Sequence, residues 1–189
     1  MNIYIALLRG INVGGKNIIK MADLKKAFED LGLNEVKTYI QSGNVLFKSD
    51  EEEETLRKKI EHKIETTFEM CIHIVLRTAE EFENIIKSCP FTEEEIQLAQ
   101  STSVGESLYV ALLTQAPLQE RVEKLLTYKN LKEQCEIKGR EVFLLFHESI
   151  LKSKLANNLQ KLEVPSTVRN WKTINKLNSL AKAMKGINI

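Results

Sequence analysis

Most scarcities in this sequence of 189 residues exclude something. Cys71, Cys89 and Cys135 are odd in number, far apart and form no C-x-x-C pair. A disulfide framework and a cysteine-based zinc site are therefore excluded, and a reducing compartment, the cytoplasm, is expected. Charge of one sign is lacking as well. Lys and Arg total 27 against 26 Asp and Glu, so any nucleic-acid binding has to come from a local patch rather than bulk charge. No apolar run approaches the roughly 20 residues of a membrane span, and Met1 to Leu8 lacks the basic segment and cleavage site of a signal peptide. No membrane partner is expected. His62, His73 and His147 show no H-x-x-x-H spacing, no G-x-S-x-G elbow occurs, and aromatics make up 6% of the chain. These absences argue against a metal site, a serine nucleophile and a base-stacking sheet.

What is present reads as ordinary folded protein, with 43% hydrophobic and 28% charged residues. Ile3 to Leu8 is a short, nearly continuous apolar run closed by Arg9-Gly10, the pattern of a buried strand. Met21, Leu24, Phe28 and Leu31 recur at helical spacing before Gly32. Val36 to Gln41 and Val45 to Lys48 flank Ser42-Gly43-Asn44 and read as a hairpin. Ser49 is expected to cap a helix carrying Leu56, Ile60, Ile64 and Phe68, with Asp50 to Glu54 in its first turn, and Cys71 to Leu76 returns as a strand.

The same order recurs further on. Tyr109 to Leu113 copies Tyr4 to Leu8, and Pro117 is expected at the first position of the following helix. Val142-Phe143-Leu144 echoes Val45-Leu46-Phe47, Ser149 stands before Leu151, Leu155 and Leu159 as a cap, and Thr167 to Asn170 echoes Val75 to Thr78. Four matches in order indicate a duplication. The predicted fold is α/β in the α+β sense: two tandem ferredoxin-like β-α-β-β-α-β units packed into one body. The first unit spans residues 1–78, a helical connector residues 79–107, with Thr92 and Glu95 in capping-box register, and the second unit with a C-terminal helix residues 108–189. In such a plait the loop after the first strand lies beside the turn of the central hairpin.

That loop holds the main functional candidates. Gly10-Ile11-Asn12-Val13-Gly14-Gly15-Lys16-Asn17 nearly matches the phosphate-loop pattern G-x-x-x-x-G-K-[ST] after a strand. Asn17 replaces the magnesium-binding hydroxyl, and the helix starts several residues after Lys16, so a nucleotide-hydrolysing P-loop is not expected. What remains is an amide-rich basic loop with Arg9, Asn12, Gly14, Gly15, Lys16 and Asn17, beside Gln41, Ser42 and Asn44 of the hairpin. Two readings stay open: a pocket for a phosphate or carboxylate, or a connection whose glycines allow a tight path and whose Asn side chains satisfy backbone groups. The nearest acid in sequence, Asp23, falls in a helical first turn, so no catalytic residue is nominated. A second candidate, Arg169-Asn170-Trp171-Lys172, joins the only tryptophan to cations. Arg169, Trp171 and Lys172 would serve base stacking or phosphate contact, or Trp171 would anchor the last helix.

Several stretches together resemble the bacterial domain of unknown function 1697 family: Ala6 to Asn17, Lys20 to Leu24, Tyr39 to Phe47, Arg77-Thr78, Gly139 to Val142, Ser153 to Leu155 and Arg169 to Leu177. The resemblance implies a bacterial cytoplasmic protein, is compatible with the duplicated plait, and supplies no activity, cofactor or catalytic residue. The expected partner is a phosphate-bearing small molecule. Single-stranded nucleic acid, an enzyme acting on such a ligand, and a structural or dimerising role are the alternatives.

Overall fold

Strand β1, Asn2–Leu8, is buried along Ile3 to Leu8, as a continuous apolar run requires when both faces of a strand are covered. The structure, a computed structural model, describes residues 1–186. β1 is followed by α1 (Met21–Glu29), β2 (Asn34–Tyr39), β3 (Asn44–Ser49), α2 (Glu53–Phe68) and β4 (Ile74–Thr78). The strands form an antiparallel sheet in the order β2-β3-β1-β4, the order of a ferredoxin-like plait. Helix α3 (Ala79–Lys87) follows directly, its first turn fixed by Thr78 and Glu81, each accepting from the other's backbone N–H through a side-chain oxygen.

The second half repeats this order. After α4 (Glu93–Thr102) come β5 (Leu108–Leu113), α5 (Gln119–Leu126), β6 (Glu133–Lys138), β7 (Glu141–Phe146), a short helical segment containing α6 (Lys154–Asn157), β8 (Ser166–Asn170) and α7 (Trp171–Met184). The sheet order is β6-β7-β5-β8. The repetition holds residue by residue. Ala6 pairs with Val45 as Ala111 pairs with Val142, and Ile5 pairs with Arg77 as Val110 pairs with Arg169. The described chain divides into two compact units, one of residues 1–84 and 176–186 and the other of residues 85–175.

Each unit has its own core between sheet and helices. In the first, Tyr4, Ala6, Leu8, Val45, Phe47, Ile74 and Leu76 meet Leu24 and Phe28 of α1 and Leu56, Ile60 and Ile64 of α2. In the second, Ala111, Leu113, Val142, Leu144 and Phe146 meet Leu125, Leu155, Leu159 and Leu162. Burying a Leu or Phe side chain contributes about 1.5–3 kcal/mol, which makes these stripes the main source of stability. The alternate residues Ile5, Leu7, Leu46 and Val75, and in the second unit Val110, Leu112, Phe143 and Leu145, are buried too. Side chains on both faces of the central strands are therefore buried.

Four local expectations are corrected. Ser49 ends β3 instead of capping α2, whose N-cap is Glu52; the Ser49 hydroxyl accepts from the Glu51 N–H at 3.2 Å. Pro117 precedes the cap residue Leu118 and is not the first helical residue. The helix expected after Ser149 is broken at Ser153. Glu133 of β6 accepts from both the Ser153 hydroxyl (2.6 Å) and the Leu155 N–H (3.1 Å), and Ser153 caps a new turn at Ala156. Leu151 is consequently 86% exposed, outside the stripe assigned to it. Finally, β4 starts at Ile74, so Cys71 precedes the strand and is exposed. The capping box of Thr92 and Glu95 forms as its spacing predicts.

Candidate functional site

The connection from β1 to α1, residues 9–20, meets the β2–β3 hairpin through one glycine and one asparagine. Gly43 has φ +79°, and a Cβ there would lie 2.7 Å from Ile11 Cδ1 and 2.9 Å from Leu8 Cβ. Its absence lets Ile11 lie against the turn. The Leu8 N–H donates to the Gly43 carbonyl (2.8 Å) and the Arg9 N–H to the His73 carbonyl (3.0 Å). Asn12 then acts as a hub. Its Oδ1 accepts from the Ile19 N–H (2.8 Å), and its Nδ2 donates to the carbonyls of Ile19 (3.0 Å) and Gln41 (2.8 Å). Asn12 and Asn17 both adopt positive φ, which asparagine tolerates better than most residues, and Asn17 Nδ2 donates to the Gly10 carbonyl (3.1 Å).

Between these anchors the loop doubles back. The Lys16 N–H donates to the Val13 carbonyl (3.0 Å), and Gly14 and Gly15 have φ of +58° and +74°, the signature of a type I′ turn. The glycines thus make a protruding tip and not a cradle opening a helix, since α1 begins only at Met21. A Cβ on either would meet nothing within 4 Å, so the tip stands clear of the body. Among the described residues the amides of Gly14 and Gly15 donate to no protein acceptor.

The candidate residues divide by role. Arg9, Gly14, Gly15, Lys16, Asn17 and Gln41 are exposed. Arg9 and Lys16 form no ion pair among the described residues, and no Asp or Glu occurs from Arg9 to Ala22 or from Val36 to Ser49. The amides of Asn12 and Asn17 shape the loop. Asn44 is buried, its Nδ2 donating to the Tyr39 carbonyl and the Ser42 hydroxyl at 3.0 Å each, so Ser42 and Asn44 shape the hairpin.

The equivalent end of the second unit gives an internal control. There the Leu113 N–H donates to the Arg140 carbonyl (2.9 Å) and the Thr114 N–H to the Pro165 carbonyl (3.1 Å), matching the bonds of Leu8 and Arg9. The plait closes in the same way across a connection of only residues 114–118. Closure of the plait by itself does not call for the longer loop, which adds Ile11 and Ile19 to the first core.

The segment from the end of β8 into α7 is not assembled as a surface patch. Arg169 is buried, its Nη1 donating to the Thr167 hydroxyl (2.7 Å) and the Val168 carbonyl (2.9 Å), and burial pulls its pKa down to about 10. Trp171 is half-buried at the start of α7, its carbonyl accepting from Asn175 Nδ2, while Asn170 Oδ1 accepts from the Thr173 N–H and caps the helix. Lys172 is exposed. Arg77, one of the residues that carry the family resemblance, is fully buried at the matching position of the first sheet, so the Arg-polar pair recurs in both halves.

Elsewhere, a cavity of about 320 Å³ is lined by Met1, Ile3, Thr78, Glu80 and Lys185, and one of about 370 Å³ by Thr102, Leu131, Lys132, His147 and Glu148. Neither touches the loop. Among the described residues no group of three or more His, Cys, Asp or Glu side chains is placed to hold a metal ion. Burial pushes the Cys135 thiol up to about 12 and raises that of Cys89, so neither is poised as a thiolate. No helix among the described residues is long and apolar enough to cross a membrane.

The loop and hairpin lie within the region matched by a family model. That model, described as protein of unknown function (DUF1697), matches residues 1–143. The chain belongs to this family. The fold is shared with the solved structure of the conserved bacterial protein SP0830 from Streptococcus pneumoniae. That protein is 28% identical, the match covers 96% of this chain and 99% of that one, and the TM-score is 0.73. A search of curated proteins finds no match. The DUF1697 assignment thus carries the fold and leaves the activity to be argued from the site.

Proposed function

We propose that the end of the first unit formed by residues 9–20 and the β2–β3 turn binds an anion, a phosphate or carboxylate. The carrying observation is the pair of exposed cations, Arg9 and Lys16, on a loop that is pinned by Asn12 and lies in acid-free stretches of an otherwise balanced chain. Lys16 follows directly on two tip amides that donate to no described group, so charge and N–H donors meet at one point. The second unit supports the reading by contrast, because it closes the same scaffold without such a loop. Two charge-assisted hydrogen bonds in an exposed setting correspond to a dissociation constant on the order of a millimolar. We read the compartment as the cytoplasm, in keeping with three free thiols.

The test is an amide chemical-shift titration of the full chain with inorganic phosphate and with a nucleoside triphosphate. The expected result is saturable movement of the Gly14, Gly15 and Lys16 resonances, weakened about tenfold in Lys16→Ala. Absence of movement at these amides, or equal movement in the variant, would refute the reading.

A further inference from the structure

Besides its cations, the same end of the first unit carries three exposed branched aliphatic side chains. Val13 is 63% exposed, Ile18 67% and Ile40 47%. Apart from Met1, these are all the strongly exposed large hydrophobic side chains of that unit among the described residues. They are also gathered in space. Val13 follows Asn12, Ile18 precedes Ile19, and Ile40 precedes Gln41, and Asn12 hydrogen-bonds both Ile19 and Gln41. Lys16 pairs with Val13 across the turn, and Lys20 follows Ile19. Apolar and cationic side chains are thus fixed together by a polar hub, with no acid from Arg9 to Ala22 or from Val36 to Ser49.

Both the chemistry and the shape restrict the occupant. A freely dissolved phosphate would use the cations and leave three aliphatic side chains in water. A single-stranded nucleic acid is held by stacking on aromatic rings, and the exposed hydrophobic side chains here are aliphatic. The tip is open, since a Cβ at Gly14 or Gly15 would meet nothing within 4 Å. An open tip carrying branched aliphatic side chains beside Arg9, Lys16 and Lys20, with Asp23 the first acid after the loop, complements a deformable anionic interface better than a preformed groove.

Resting on the anion reading above, we propose that this end docks on an anionic phospholipid surface, the headgroup phosphates meeting Arg9, Lys16 and Lys20 while Val13, Ile18 and Ile40 enter the interfacial layer. The association is peripheral, and its parts multiply. Each Lys or Arg near an anionic leaflet contributes about fivefold in partitioning, and each buried methylene about fourfold.

The test is co-sedimentation of the full chain with vesicles of phosphatidylcholine alone and of phosphatidylcholine mixed with phosphatidylglycerol. The wild type and two variants, Lys16→Ala and Val13→Ser/Ile18→Ser, are compared, each checked for unchanged circular dichroism. Expected is binding to the mixed vesicles that is weaker by about fivefold or more in Lys16→Ala and by at least about tenfold in the double variant, with little binding to phosphatidylcholine alone. The double variant should keep the phosphate-induced amide shifts of the wild type, since it retains both cations. Phosphate shifts without vesicle binding would overturn the lipid proposal and leave the anion reading standing; neither effect would overturn both. Vesicle binding indifferent to Val13→Ser/Ile18→Ser, or binding only to an oligonucleotide or an acidic peptide, would also overturn it.

Discussion

Gly43→Ala tests the contact that seats the loop on the hairpin. The residue sits at φ +79°, a region costing an L-residue roughly 1–2 kcal/mol. The new methyl would also stand 2.7 Å from Ile11 Cδ1, 2.9 Å from Ile11 Cγ1 and 2.9 Å from Leu8 Cβ. The Leu8 atom is rooted in the central strand β1 and cannot swing away, so either Ile11 leaves its place or the turn shifts. Overpacking of this kind costs typically about 1–3 kcal/mol, for a total of about 2–5 kcal/mol. That is a large share of the ~5–15 kcal/mol stability of an ordinary domain. Gly14→Ala is the matched control: φ is also positive, at +58°, but nothing lies within 4 Å of the added methyl, so only the conformational part applies. Urea denaturation followed by circular dichroism should show the midpoint of Gly43→Ala well below that of Gly14→Ala at similar m-values. Equal midpoints would mean that Ile11 is not held against the turn, and the argument joining loop to hairpin would fail.

Asn12→Ala removes three hydrogen bonds and leaves the Ile19 and Gln41 backbone groups without their partner, for an expected loss of about 1–3 kcal/mol and faster hydrogen exchange at the Ile19 amide. Glu133→Ala removes the acceptor that interrupts the helical segment at Ser153; proteolysis between Ser149 and Leu155 should quicken, and unchanged cleavage would deny Glu133 that role. Thiol titration with an aromatic disulfide at neutral pH should modify exposed Cys71 first and Cys135 last, since burial holds Cys135 near 12; rapid modification of Cys135 in the folded protein would contradict its burial. The Glu148 carboxyl is held below its ordinary value of 4.5 by Lys132, so the pair favours the folded state above that value and this contribution disappears as pH falls through the lowered folded value. Carboxyl resonances titrated by NMR should show Glu148 returning to about its ordinary value in Lys132→Ala.

The repeated fold was legible because its signal was redundant. Tyr4 to Leu8 and Tyr109 to Leu113 carry the same apolar run, and each pairs with the strand its echo predicts. Local ends were less legible because they depend on partners distant in sequence. Ser149 and Ser153 look alike as caps, and only the Glu133 carboxylate, brought from β6, makes Ser153 a point of interruption. The proximity of loop and hairpin followed from topology, and the Asn12 to Gln41 bond realises it. The role of Gly14-Gly15 did not follow. A phosphate cradle and a type I′ turn both require glycine at positive φ, so residue type alone cannot separate them. Likewise Arg169 reads as a surface cation until burial and its bonds to Thr167 and Val168 are known.

The two copies also bear on why the loop persists. Ordering a backbone residue costs about 1–2 kcal/mol, so residues 9–20 represent a considerable entropic cost that the equivalent connection, residues 114–118, largely avoids. Part of that cost is offset by the burial of Ile11 and Ile19, which joins the loop to the first core, and part by the hydrogen bonds of Asn12 and Asn17. The tip from Val13 to Lys16 receives little of this compensation: its side chains are exposed, and its one backbone bond is that of the turn itself, from the Lys16 N–H to the Val13 carbonyl. A connection needed only for closure would be trimmed at that point first, because removing the tip sacrifices no core contact. The segment least supported by the fold is therefore the one carrying Lys16, the free amides and Val13, which is the arrangement expected when a ligand supplies the missing contacts.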